Sequence, residues 1–120
     1  AIVIAGQTPT WAPWLPVLVG RDLLKTGEAQ EFSPVGVRPD SIETDHVLAA
    51  KPWGPGVVYV SQADRLCRPE GCRRLVGGRL PEDLIAVDYG HYSVAGSIYA
   101  VEMILAPAIE AALRHAQAPR

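Results

Sequence analysis

Three short apolar runs constrain this chain more than any other feature: AIVIAG at 1–6, VVYV at 57–60 and LIAV at 84–87. Each is apolar at consecutive positions, so both faces of an extended strand would be apolar. Such strands are stable when covered on both sides, as in a parallel sheet flanked by helices. The stretches between them supply helices. In LPVLVGRDLLKTG (15–27), Leu15, Val17, Leu18, Leu23 and Leu24 fall near one face, with Pro16 in the first turn and Gly27 as terminator. DSIETDHVLAA (40–50) opens with Asp40 as N-cap and Glu43 three residues on, a capping box. SVAGSIYAVEMILAPAIEAALRHA (93–116) reads as a long helix that Pro107 should kink or split. QTPTWAPW and residues 28–40 read as loops, and KPWGPG ends the second helix. The order strand, helix, helix, strand, strand, helix predicts an α/β fold with a thin, three-stranded sheet.

With 120 residues and 48% hydrophobic content, the chain builds one domain and not two. A net charge of −2 gives no electrostatic reason to expect nucleic acid or an anionic membrane as partner. No uninterrupted apolar run reaches the ~20 residues of a membrane-spanning helix, which predicts a soluble domain. No stretch has the basic start and apolar middle of a secretory leader. Ala1 leads directly into the first strand-like run, so further strands are expected to precede it.

The two cysteines lie in CRPEGC, as Cys67 and Cys72, with Pro69 and Gly71 between them. The spacing suits a disulfide closing a small loop, which would imply an oxidising compartment; two reduced thiols in a cytosolic protein are the alternative. Zinc would need two further ligands from His46, His91 and His115, none at finger-like spacing, so no metal site is expected.

Reactive groups in open α/β sheets gather beyond the carboxyl ends of the strands. In AVDYGHYSVAG, Asp88 directly follows the third run and His91 lies three residues on. At that spacing the carboxylate reaches the imidazole Nδ1–H, fixing the tautomer and leaving Nε2 as general base for a serine hydroxyl. Gly90 would ease the bend. The ordinary reading is that Asp88 caps a helix and His91 is merely exposed. No serine stands in a nucleophile-elbow setting. Ser93 reads as the turn opening the last helix, and Ser61 ends a strand. Among the aromatic residues, Trp11, in a Pro-bounded loop at a strand end, and Tyr89 and Tyr92, flanking His91, are candidates for substrate contact; Trp14 is expected to pack. Arg65, Arg68, Arg73 and Arg74 form a basic cluster that reads as a solvated loop.

VDYGHYSVAGS, followed by an amphipathic helix, resembles the last block of SGNH hydrolases, where the Asp and His of the triad sit in D-x-x-H. The nearer likeness is to the SGNH domain fused to membrane-bound acyltransferases that O-acetylate bacterial cell-surface glycans. AIVIAGQTPTW and VSQADRLC with its second cysteine are also similar to stretches of those domains. The resemblance implies an SGNH/flavodoxin-like three-layer sandwich with a mainly parallel sheet, present in part. It makes Asp88 and His91 triad members and implies acyl transfer, acetyl above all, without metal or cofactor. Expected partners are a glycan acceptor and either the membrane acyltransferase domain or the missing N-terminal half. The expected location is periplasmic, tethered to the inner membrane through the rest of the protein. The chain departs from the family in lacking the G-D-S block and in having no Asn for the oxyanion hole. Residues 1–120 are therefore expected to be the C-terminal portion of such a domain, inactive alone. A non-catalytic, degenerate module that binds glycan or a partner protein is the alternative.

Overall fold

The structure, a computed structural model, describes residues 1–117. The chain is α/β. Strand β1 (Ile2–Ala5) is followed by helix α1 (Leu15–Thr26), strand β2 (Phe32–Ser33), helix α2 (Pro39–Ala50) and strand β3 (Val57–Val60). Helix α3 (Gln62–Leu66), strands β4 (Cys67–Arg68) and β5 (Gly71–Arg73), and helix α4 (Val94–Ala100) come next. A π-helical turn (Val101–Leu105) joins α4 to α5 (Ala106–Gln117). β1 and β3 pair in parallel from Ile2↔Val57 to Ala5↔Val60, as the apolar runs predict. They are only partly buried, with Ile2 60% and Val58 41% exposed. A second, antiparallel sheet of order β2-β5-β4 was not expected from the sequence.

The third apolar run corrects the expected topology. LIAV is not a strand of either sheet but makes two isolated bridges, Leu75↔Leu84 and Ala86↔Tyr92. Its backbone is committed elsewhere. Ile85 N–H donates to Arg74 O at 2.9 Å, Ile85 O accepts Ser93 N–H at 3.0 Å, and Val87 N–H donates to His91 O at 2.9 Å. The run is core all the same, with Leu84, Ile85 and Ala86 all buried. α4 crosses it so closely that a Cβ on Gly96 would lie 2.1 Å from Ile85 O, which only glycine avoids.

The helix ends follow their capping chemistry. α1 carries Pro16 in its first turn and ends at Gly27 in the left-handed conformation. α2 begins two residues earlier than the capping box implied: Arg38 is the N-cap, Pro39 the first helical residue, and Asp40 lies inside the first turn. Arg38 O accepts the Ser41 hydroxyl at 2.7 Å, and this bond fixes the earlier start. Pro107 does not split the last helix, which is continuous over Val94–Gln117. The π turn ahead of it lets Ala106 N–H reach back five residues to Val101 O, and Pro107 has no N–H to place.

The resulting helix, Val94–Gln117, runs 24 residues with a mean hydropathy of 1.4 in its most apolar window, long and apolar enough to cross a bilayer by length and composition. The core helix of a soluble protein can meet the same criteria, so this assigns the helix to no membrane. Its inward positions Ala100, Ile104 and Ala112 are buried against the rest of the chain.

The core gathers Leu15, Leu18 and Val19 of α1, Val60, Leu66, Leu75 and Leu84, Ile85 and Ala86 of the LIAV segment. Cys67 and Cys72 are directly opposite across the β4–β5 hairpin and form a disulfide. The basic cluster is the solvated loop expected only in part: Arg65 and Arg68 are exposed, whereas Arg73 is largely covered and Arg74 is buried. Arg68 and Arg73 both lie over the Phe32 ring, at 3.9 and 4.5 Å from its centroid. Arg74 is fully buried, paired with Asp22 of α1 and donating to Val35 O at 2.8 Å. Burial pushes the Arg74 guanidinium pKa down, and the Asp22 carboxylate opposes that shift.

This pair predicts an asymmetry. Asp22→Ala leaves a guanidinium buried without its counter-charge and should cost about 3–5 kcal/mol in urea unfolding. Arg74→Met leaves only a partly exposed carboxylate and should cost less. Equal losses for the two variants would contradict the account of the pair.

Candidate active site

The site is a turn. Leaving the buried LIAV segment, the chain folds back on itself through Asp88–Tyr92, and the Ala86↔Tyr92 bridge closes the loop. Inside it the Asp88 carboxylate is the organising group. Its Oδ1 accepts the backbone N–H groups of Gly90 and His91, both at 2.9 Å, and its Oδ2 lies 2.8 Å from His91 Nδ1. The two backbone N–H groups, with a further contribution from the imidazole, hold the Asp88 carboxyl down at about 2. The carboxylate is therefore ionised and pointed at Nδ1, which places the ring proton there and leaves Nε2 as a lone-pair base. His91 is 67% exposed, and among the described residues no side chain is hydrogen-bonded to its Nε2.

The turn is held from α1 and its preceding loop. Trp11 N–H donates to Tyr89 O at 2.8 Å and Leu15 N–H to Asp88 O at 3.1 Å. Gly90 serves a close approach and not a left-handed bend: a Cβ there would lie 2.9 Å from the Thr10 methyl.

The aromatic residues differ from expectation. Trp11, read as a substrate contact, is 2% exposed and belongs to the core, drawn under the loop by its bridge to Val37 and its bond to Tyr89. Trp14, expected to pack, is 58% exposed at the N-cap of α1, next to the Leu15–Asp88 hydrogen bond. Tyr89 is 44% exposed and meets the His91 ring edge-on at 5.1 Å between centroids. Tyr92 is half-buried and its hydroxyl donates to Gln62 Oε1 at 2.8 Å; burial raises its pKa to about 12. It supports the turn from below and does not face an approaching substrate. Trp53 packs, stacked on Tyr59 at 6.0 Å.

The serine hydroxyls are mostly committed. Ser61 Oγ donates to the buried Asp45 carboxylate at 2.6 Å and accepts Asp64 N–H at 2.9 Å. Ser93 Oγ donates to Leu84 O and caps α4 by accepting Gly96 N–H. Ser41 Oγ lies between Arg38 O and Thr10 N–H, Ser33 Oγ accepts Val35 N–H, and Ser97 is exposed on α4. None is hydrogen-bonded to His91 among the described residues. No His, Cys, Asp or Glu cluster suited to a metal ion occurs among them either.

Two supports of the site were not apparent from sequence. The backbone donors of Trp11 and Leu15 carry no residue signature, because any residue but proline supplies an N–H. Gln62 had only its place at the carboxyl end of a strand to mark it.

The low Asp88 pKa fixes a pH dependence. A carboxyl held below its ordinary 3.8 contributes stability above that pH and loses it as the pH falls toward about 2. The stability difference between wild type and Asp88→Asn should be present at about pH 5 and shrink as the pH falls through that window. A difference in urea midpoints unchanged down to pH 2 would contradict the turn's electrostatics.

No protein-family model matches the sequence, and no curated protein is detectably similar to it. Among solved structures, the fold is similar to the periplasmic domain of the lipopolysaccharide acetyltransferase of Salmonella ser. Paratyphi A, with a TM-score of 0.75 and 25% sequence identity. The likeness covers 84% of this chain but 39% of that one, so this chain spans well under half the length of the domain it matches.

Proposed function

We propose that this chain is the Asp–His-bearing, C-terminal part of an SGNH-type serine acyltransferase or esterase domain that moves an acyl group, acetyl foremost, to or from a cell-surface glycan. The observation that carries this reading is the Asp88–His91 contact, 2.8 Å at Nδ1 with Nε2 free and exposed. Similarity to a lipopolysaccharide acetyltransferase domain supports the substrate class. The same similarity and the Cys67–Cys72 disulfide support an extracytoplasmic location; the proposal adds membrane tethering through the rest of the protein.

The chemistry needs a serine that these residues do not provide, and the proposal assigns it to the remaining part of the domain. That hydroxyl attacks the acyl carbonyl while His91 Nε2 takes its proton, and the proton passes to the departing group. A glycan hydroxyl then attacks the acyl-serine, gives its proton to His91, and the proton returns to the serine oxygen. Asp88 stays ionised throughout and stabilises the imidazolium. Tyr89, beside His91, lines the approach of the sugar. The steps call for no metal or diffusible cofactor.

A second reading, a non-catalytic module that binds glycan or a partner protein, is favoured by the committed state of the chain's own serines. The readings part on one variant. In the protein carrying the whole domain, His91→Ala should lower acyl transfer by about 10³-fold or more, with the fold unchanged by circular dichroism. Full transfer activity in that variant would remove His91 from the chemistry and leave the binding module.

A further inference from the structure

We propose that Gln62 is a positioning residue for the Asp88–His91 pair, acting through Tyr92; this rests on the catalytic reading of that pair. Gln62 is 7% exposed and stands at the first position of α3, where β3 ends. Its amide joins two groups that do not otherwise meet. Nε2 donates to Gly6 O at 2.7 Å, and Oε1 accepts the Tyr92 hydroxyl at 2.8 Å.

Gly6 is itself fixed to the sheet, its N–H donating to Val60 O at 2.8 Å, and Ala63 N–H donates to Gln7 O at 2.9 Å. One buried side chain thus connects the carboxyl ends of both parallel strands to the residue next to His91. Among the described residues this is the single side-chain hydrogen bond from 88–92 to anything outside the turn; Asp88 and His91 bond within it. The other tethers, from Trp11 and Leu15, are backbone bonds and hold the opposite side of the turn.

The chemistry requires an amide. Gly6 O can only accept and the Tyr92 hydroxyl donates, so the bridging group must donate at one end and accept at the other. Leucine offers neither, and glutamate offers no donor for Gly6 O while burying a charge.

The test follows the His91 imidazole in the intact chain by ¹⁵N NMR at a pH where the ring is neutral. Wild type, Gln62→Leu and the milder Tyr92→Phe are compared with Ile104→Val, a core change outside the turn, and folding is checked by circular dichroism. The ratio of Nδ1–H to Nε2–H tautomers should fall about fivefold in Gln62→Leu and in Tyr92→Phe, the effect of one lost hydrogen bond. Ile104→Val should lower stability and leave the ratio alone. A wild-type ratio in folded Tyr92→Phe would overturn the proposal, as would an equal change in Ile104→Val. Because the readout is the ring and not turnover, a His91→Ala variant with full activity would sink the catalytic reading without altering this result.

Discussion

The Asp88 carboxylate is the interaction on which the rest of the site depends. Four oxygen lone pairs are available to an ionised carboxylate, and here three donors converge on them: two backbone N–H groups and the imidazole Nδ1–H. The backbone bonds close the turn, and closing the turn is what aims the third bond. The same group therefore does structural and chemical work; it caps no helix, that role on α4 falling to Ser93. Around it the chain converges from the loop ahead of α1, from the buried LIAV segment and, through Gln62, from the sheet.

What the sequence disclosed follows from what residue pattern encodes. β1, β3, α1 and the long last helix were readable because apolar spacing and Pro/Gly punctuation act locally. The Asp88–His91 contact was readable because a separation of three residues constrains the reach of both side chains. LIAV misled because an apolar run reports burial and not pairing. Arg74, Ser93 and His91 use the backbone groups that a sheet neighbour would have required. The exchange between Trp11 and Trp14 has a similar origin: residue type sets how much each ring gains from burial, and the fold decides which ring is covered. Arg74 shows the reverse case, a charge in a basic cluster that tertiary structure buries against Asp22, 52 positions away.

The parallel pair β1–β3 bears on the domain's extent. A two-stranded ladder of four residues per strand is marginal by itself, and parallel strands are ordinarily covered on both faces. Here the last helix packs on β1 and α2 on β3, where the Asp45 carboxylate accepts the Tyr59 and Ser61 hydroxyls, and these contacts join it to the rest. The similar acetyltransferase domain carries more than twice this length of chain. Under the proposed function, that additional polypeptide is where the nucleophile belongs.

The central claim is that these residues orient a base and contain no activated nucleophile. Its most direct test is the intact mass of the chain after incubation with a fluorophosphonate serine probe. The account predicts no adduct, because Ser33, Ser41, Ser61 and Ser93 are engaged in structural hydrogen bonds and none of the chain's serines is bonded to His91. A stoichiometric adduct on any serine of this chain would place the nucleophile within it and contradict the claim.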